Sequence, residues 1–240
     1  MGNPNHRYVM VTTADKVADM ASHSAVAKQV LRTARKTSRR QDYSSSTKRA
    51  LVESATELFT ERGYSGTSLD EVVAAARVTK GALYHHFNSK LDLFEAVFLR
   101  VQSDATDEII AAFDKIKDPW ERAQAGLSAF LTVCRRPEYR RICMQEGPVA
   151  LGHERWQEAE REASFGIVQK TVVDLLDEIG EDFKPLSNPF TVVFYGAIRS
   201  AAEYVADSDD PDVASDEVLA TIGAIMLGMR SLTESPADAS

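Results

Sequence analysis

Few side chains in this 240-residue chain have the chemistry for catalysis or metal binding. His85 and His86 are adjacent. Neighbours on a helix point about 100° apart, and no carboxylate follows either at i+4, so the pair is a poor chelate. His153-Glu154 opens like a zinc-protease motif, but Gln157 stands where the second histidine is required. Cys134 and Cys143 form no C-x-x-C pair and lie in apolar helical stretches, the setting of buried, inert thiols. A nucleophile elbow, a P-loop and a dinucleotide fingerprint are all missing. Neither an enzyme, a metal site nor a cofactor is therefore expected.

Residues 67–90 carry a different chemistry. Ser68 and Glu71 have the S-x-x-E spacing of a capping box, which starts a short helix. After a tight turn, Thr79 can cap a second short helix with Leu83 and Phe87 on its inner side. Its outer side then carries Thr79, Lys80, Gly81, Tyr84 and His85. Two short helices joined by a short turn have helix-turn-helix geometry, and the second fits a DNA major groove. Gly81 permits close backbone approach, Lys80 supplies positive charge, and Tyr84 supplies a hydroxyl for a phosphate.

The ordered set Thr47-Lys48, Ala55, Leu58-Phe59, Gly63-Tyr64, Thr67-Ser68 and Val78 through Lys90 resembles the amino-terminal DNA-binding domain of the TetR family of repressors. The resemblance spans about 55 residues. It implies that Thr79, Lys80, Gly81 and Ala82 begin the recognition helix and that Tyr84 and His85 touch backbone and bases. It further implies phosphate contacts from Thr67, Ser68 and Lys90, with Leu83 and Phe87 in the core. Arg77 departs from the pattern, since that turn position is often glycine in the family. If the turn needs positive φ there, a side chain costs roughly 1 kcal/mol; otherwise Arg77 adopts another turn geometry or meets a phosphate.

The elements that must hold this constellation read as helices throughout, about nine in all. Leu51, Ala55, Leu58 and Phe59 form one helical face, ended by Gly63. Ser89 with Asp92 caps a long fourth helix, residues 89–113. Asp118-Pro119 starts another, and Pro137 breaks it. Tyr139–Glu146 is expected as a short helix stopped by Gly147-Pro148, followed by a long helix over 152–180. The last two helices are expected over 188–207 and 213–233.

Charge follows the same division. The net charge is −8, yet residues 1–45 hold 8 basic against 3 acidic residues and residues 46–100 hold 7 of each. Residues 101–240 hold 13 basic against 26 acidic, so only the first hundred residues can meet a polyanion. The expected organisation is a basic arm at 1–45, a helix-turn-helix domain at 46–100, a helical ligand-binding and dimerisation domain at 101–234, and a tail at 235–240. The cluster Arg32, Arg35, Lys36, Arg39 and Arg40 suits either a solubilising tail or an arm that contacts phosphates or the minor groove. With neither a secretory signal nor a membrane span, the cytoplasm is the expected location.

Trp120, Phe130, Cys134, Met144, Trp156 and Phe165 are candidate pocket-lining residues, with plain core as the alternative. The Gly147-Pro148 break can open space among them. Arg135, Arg136, Arg140 and Arg141 bracket it, either exposed or facing an anionic ligand. In the last two helices, Val193, Ala197, Ala201, Val205, Leu219, Ile222, Ile225 and Met226 are the expected inner positions, packed within the chain or against a twin. The resemblance implies a two-fold dimer there, a roughly palindromic operator with half-sites about 34–36 Å apart, and an unknown small-molecule effector. A ligand-independent DNA-binding or architectural protein is the second reading.

Overall fold

Several helix starts in this chain are made by short oxygen-bearing side chains. In the computed structural model, Ser68, Thr79, Ser89 and Asp118 each accept a hydrogen bond from a first-turn amide of the helix that follows. The structure describes residues 44–234. The expected basic arm, apart from residues 44 and 45, and the tail lie outside the described residues.

In chain order the elements are α1 (residues 44–62), α2 (Leu69–Ala75), α3 (Lys80–His86), α4 (Lys90–Phe113) and α5 (Pro119–Cys134). A π-helical segment, Tyr139–Glu146, leads into α6 (Gly147–Leu151). Then come α7 (His153–Ile179), a 3-10 turn (Glu181–Leu186), α8 (Ser187–Asp207) and α9 (Pro211–Glu234). Strands are absent from the described residues, so the architecture is all-α. Contacts divide the chain at Arg49–Ala50; of the first unit the described residues, 44–49, are helical, and the elements from α2 onward belong to the second. None of the described helices is long and apolar enough to cross a membrane.

Two buried clusters organise the second unit. One joins Leu51, Phe59, Leu83, Phe94 and Phe98 to Val133, Ile142 and Trp156. It thus runs from the short helices into the larger bundle along α4. The other gathers Leu127 and Leu131 of α5, Val205 of α8, and Ala214 and Val218 of α9.

The expected stop at Gly147-Pro148 is corrected by the structure. The chain passes from the π-helical segment straight into α6, with the proline in the first turn, where its missing N–H is no loss. Gly147 is there because there is no room for a side chain. A Cβ would lie 3.0 Å from Trp156, 3.1 Å from the Ile142 carbonyl and 3.1 Å from Phe98.

Within the single chain, only part of the expected inner faces of α8 and α9 is buried. Val205 is fully buried, but Val193 and Ile225 are 67% and 50% exposed and Ala197 is exposed. Ala201, Leu219, Ile222 and Met226 are half-buried. The small residues Ala202, Ala206, Ala214 and Ser215 fill the intrachain contact instead, because close helix packing is set by the shortest side chains facing each other.

Candidate functional site

The short helices α2 and α3 are held by interlocked caps. The Glu71 amide donates to the Ser68 hydroxyl at 3.3 Å, while the Ser68 amide and hydroxyl donate to Glu71 Oε2 at 2.8 and 2.7 Å. Arg62, at the end of α1, grips the other Glu71 oxygen at 2.7 Å. Those bonds from Ser68, with Arg62 beside them, hold the Glu71 carboxyl below the usual range. The start of α2 is thereby tied to the end of α1.

The turn between α2 and α3 passes through a left-handed residue, Arg77, with φ +54°. The Val78 amide donates to the Val73 carbonyl and the Arg77 amide to the Ala74 carbonyl, both at 3.2 Å. This is the Schellman pattern, with arginine in the place where glycine is least strained. The two geometric possibilities left by the sequence resolve in favour of positive φ.

From that turn α3 is set by Thr79, whose hydroxyl accepts from the Ala82 amide at 3.2 Å. Leu83 is fully buried and Phe87 nearly so, which fixes the rotation of the helix. Lys80, Gly81, Tyr84 and His85 consequently face outward, with Ala82 half-buried between them. Tyr84 is 49% exposed although it is large and aromatic. Lys80 Nζ lies 2.7 Å from Asp70 Oδ1, and this pairing raises the ammonium pKa above its ordinary value. A Cβ at Gly81 would meet nothing nearer than the Thr79 hydroxyl at 3.9 Å, so no steric demand within the fold calls for glycine there.

Lys90 opens α4 with its ammonium 4.4 Å from the centre of the Tyr64 ring. Asp92 binds the Ser89 and Asn88 side chains, and these bonds hold its carboxyl low. One expected contact is corrected. Thr67 is only 2% exposed, and its hydroxyl turns inward, 3.1 Å from the Leu58 carbonyl and 3.0 Å from that of Gly63. The side chain closes the end of α1 and is not available to a phosphate. The His85 and His86 rings stand edge to face at 5.1 Å. Among the described residues no group of three potential ligands is placed to hold a metal.

A second feature lies deeper in the bundle. A cavity of about 440 Å³ is bounded by Gln102, Ile109 and Phe113 of α4, Leu127 and Phe130 of α5, and Trp156 and Glu160 of α7. Tyr139 and Met144 of the π-helical segment, Tyr195 and Arg199 of α8, and Ile222 of α9 complete its wall. Of the six expected pocket residues, Phe130, Met144 and Trp156 line it. Trp120 and Cys134 do not, although both are buried. Phe165 does not either; it packs edge-on against Tyr195 at 5.4 Å, with the Arg161 guanidinium 4.8 Å from its ring centre.

The wall's charged groups were missed in the sequence, since only the fold brings them together. Arg122 pairs with Asp174. Arg199 lies 4.9 Å above the Trp156 ring and 3.4 Å from Glu203. Burial pushes the Glu160 carboxyl up to about 7. Arg135, Arg136 and Arg141, expected near such a space, pair elsewhere with Asp212, Glu108 and Glu146, and none of the four expected arginines lines the cavity. Burial also raises the thiols of Cys134 and Cys143, as expected of inert cysteines.

Two elements join the cavity to the short helices. The α4 helix begins beside α3 and presents Gln102, Thr106 and Ile109 to the cavity further along. The π-helical segment gives Tyr139, Met144 and Gln145 to the cavity. Its Arg141–Glu146 pair presses on Gly63, where any Cβ would collide with both side chains.

Residues 51–97 match the family model described as bacterial regulatory proteins, tetR family, and residues 120–229 match that of the tetracyclin repressor-like C-terminal domain. The Transposon Tn10 TetC protein of Escherichia coli is 33% identical over 136 residues, covering 55% of this chain and 67% of that protein. The HTH-type transcriptional activator FasR of Mycolicibacterium smegmatis is 36% identical over 80 residues, covering 33% of this chain and 36% of that one. Among solved structures, a TetR-family transcriptional regulator from Pectobacterium atrosepticum superposes with a TM-score of 0.65 at 27% identity, covering 78% of this chain and 96% of that one.

Proposed function

The chain belongs to the tetR family of bacterial regulatory proteins and is a DNA-binding regulator of transcription; on that premise we propose that it is a cytoplasmic repressor released from its operator by a small molecule held in the cavity. One observation carries the reading: α4 begins beside α3 and lines the cavity further along, with the π-helical segment as a second bridge. Filling the cavity displaces α4 and the Glu146 side of Gly63. The effector acts only to the extent that it prefers the displaced arrangement.

On the DNA side, Ser68, Thr79, Lys80, Gly81, Ala82, Tyr84, His85 and Lys90 form the proposed contact set, with Thr67 contributing through the support it gives to α1. The open space at Gly81 supports close approach by a second molecule. The proposed domains are a helix-turn-helix head at 46–100 and a sensing and dimerisation domain at 101–234. Homodimerisation through residues 188–233 is supported by Val192, Val193, Tyr204, Ile225 and Leu227, each at least half exposed in the single chain. A two-fold dimer calls for a palindromic operator. The largely apolar cavity argues against the ligand-independent alternative, which has no use for one.

Operator selection from random DNA, followed by fluorescence anisotropy, tests the reading. Lys80→Ala and Tyr84→Ala should each weaken the selected operator by about tenfold or more, in the range of about 1–3 kcal/mol, while leaving the dimer intact in sedimentation. Normal binding by both variants refutes the assigned reading face.

A further inference from the structure

The proposed effector cavity has an unbalanced wall. Its two guanidinium groups are each accounted for, Arg122 by Asp174 and Arg199 by Glu203. The Glu160 carboxylate, in the middle of α7, has no hydrogen-bond or ion-pair partner among the described residues, and Asp207 adds a further carboxylate to the wall. The rest of the cavity wall is largely apolar, with Phe130 and Trp156 among its large side chains. A carboxylate left without a donor in such a space is costly unless something supplies one.

We propose that the effector is a hydrophobic molecule carrying a positively charged nitrogen, which donates to the Glu160 carboxylate while its apolar body fills the cavity. This rests on the cavity being the effector site. The groups facing Glu160 make its chemistry selective. Glu203 on α8 disfavours its negative charge and Arg199 favours it, while the Glu160 carboxylate in turn helps to hold Cys134, Tyr139 and Cys143 in their neutral forms. Burial raises the carboxyl to about 7, so Glu160 is held where ionisation is sensitive to an incoming cation. An anionic ligand would meet Glu160, Glu203 and Asp207 with no unpaired guanidinium on the wall to receive it. A neutral ligand would fill the apolar space and leave the carboxylate unanswered.

Three probes with one apolar body separate these cases: biphenyl-4-ylmethylamine, biphenyl-4-ylmethanol and biphenyl-4-carboxylate. Calorimetric titration of the full chain at about pH 8 keeps both Glu160 and the amine ionised. The amine should bind at least tenfold more tightly than the other two. Glu160→Gln, which keeps the size and removes the charge, should bring the amine down to the level of the alcohol. Glu160→Asp should retain part of the preference, and circular dichroism melting confirms that each variant is folded. If the alcohol or the carboxylate binds as tightly as the amine, or if folded Glu160→Gln keeps the preference, the charge assignment is overturned and the effector cavity stands. If none of the three binds to a protein that still binds its operator, the effector-cavity reading falls, and this assignment with it.

Discussion

The two ends of α4 are packed in opposite ways. Around Phe94 the space is full: Phe59, Leu83, Leu93, Phe94 and Val97 have no exposed surface, and the Phe94 ring meets Phe59 and Tyr64 edge-on at 5.2 and 5.1 Å. Around Ile109 and Phe113 the same helix borders about 440 Å³ of cavity. A filled core holds its surface residues in one arrangement, whereas a hollow one can settle around different contents. The difference teaches that one helix serves a part that must stay fixed and a part that must yield.

The comparison breaks most sharply under truncation. Phe94→Ala removes a ring from a site that cannot collapse and should cost about 3–5 kcal/mol in urea unfolding. Phe130→Ala enlarges a space already present and should cost about half of that or less; equal losses would mean that the two regions are packed alike. Gly147→Ala comes next. Its Cβ would press on a carbonyl and two rings, so a loss of about 1–3 kcal/mol is expected, with the melting temperature lowered.

Acidity sharpens the contrast further. In the unfolded chain Glu160 ionises near its ordinary value of about 4.3, but in the fold only near 7. Stability contributed by its neutral form is present below the lower value and is lost as pH rises through that window. The loss is on the order of 1 kcal/mol once its partial exposure is allowed for. Glu160→Gln should flatten this part of the stability profile, while Glu71 and Asp92, held low in the helix-turn-helix region, shape only its acid side. The smallest effect belongs to Arg77→Gly. Relief of the left-handed side chain, less the extra freedom of glycine in the unfolded chain, should add about 0.5–1 kcal/mol.

These regions were also unequally legible. The caps at Ser68, Thr79, Ser89 and Asp118 depend on residues three or four apart, so their signals survive in the bare sequence, as does the inward placement of Leu83 and Phe87. Thr67 was misread because its partners, the Leu58 and Gly63 carbonyls, are backbone atoms that no side-chain pattern announces. Gly147-Pro148 looked like a stop because glycine commonly follows a helix end and proline cannot continue a helix. Only the positions of Phe98 and Trp156 reveal why glycine is needed. The cavity was the least legible feature, since Arg199 and Glu160 lie on different helices and converge through tertiary packing alone.

The Lys80–Asp70 pair bears on how salt acts on this protein. Duplex DNA surrenders condensed cations when lysines and arginines neutralise its phosphates, and the steepness of salt inhibition counts them. Under the proposed docking, Lys80 arrives already matched by a carboxylate 2.7 Å away, and that carboxylate cannot diffuse off. The complex must then retain or recruit a cation to screen Asp70 against the phosphate. The salt slope should therefore undercount the basic groups on the reading face by up to about one ion, and Asp70→Asn should restore it.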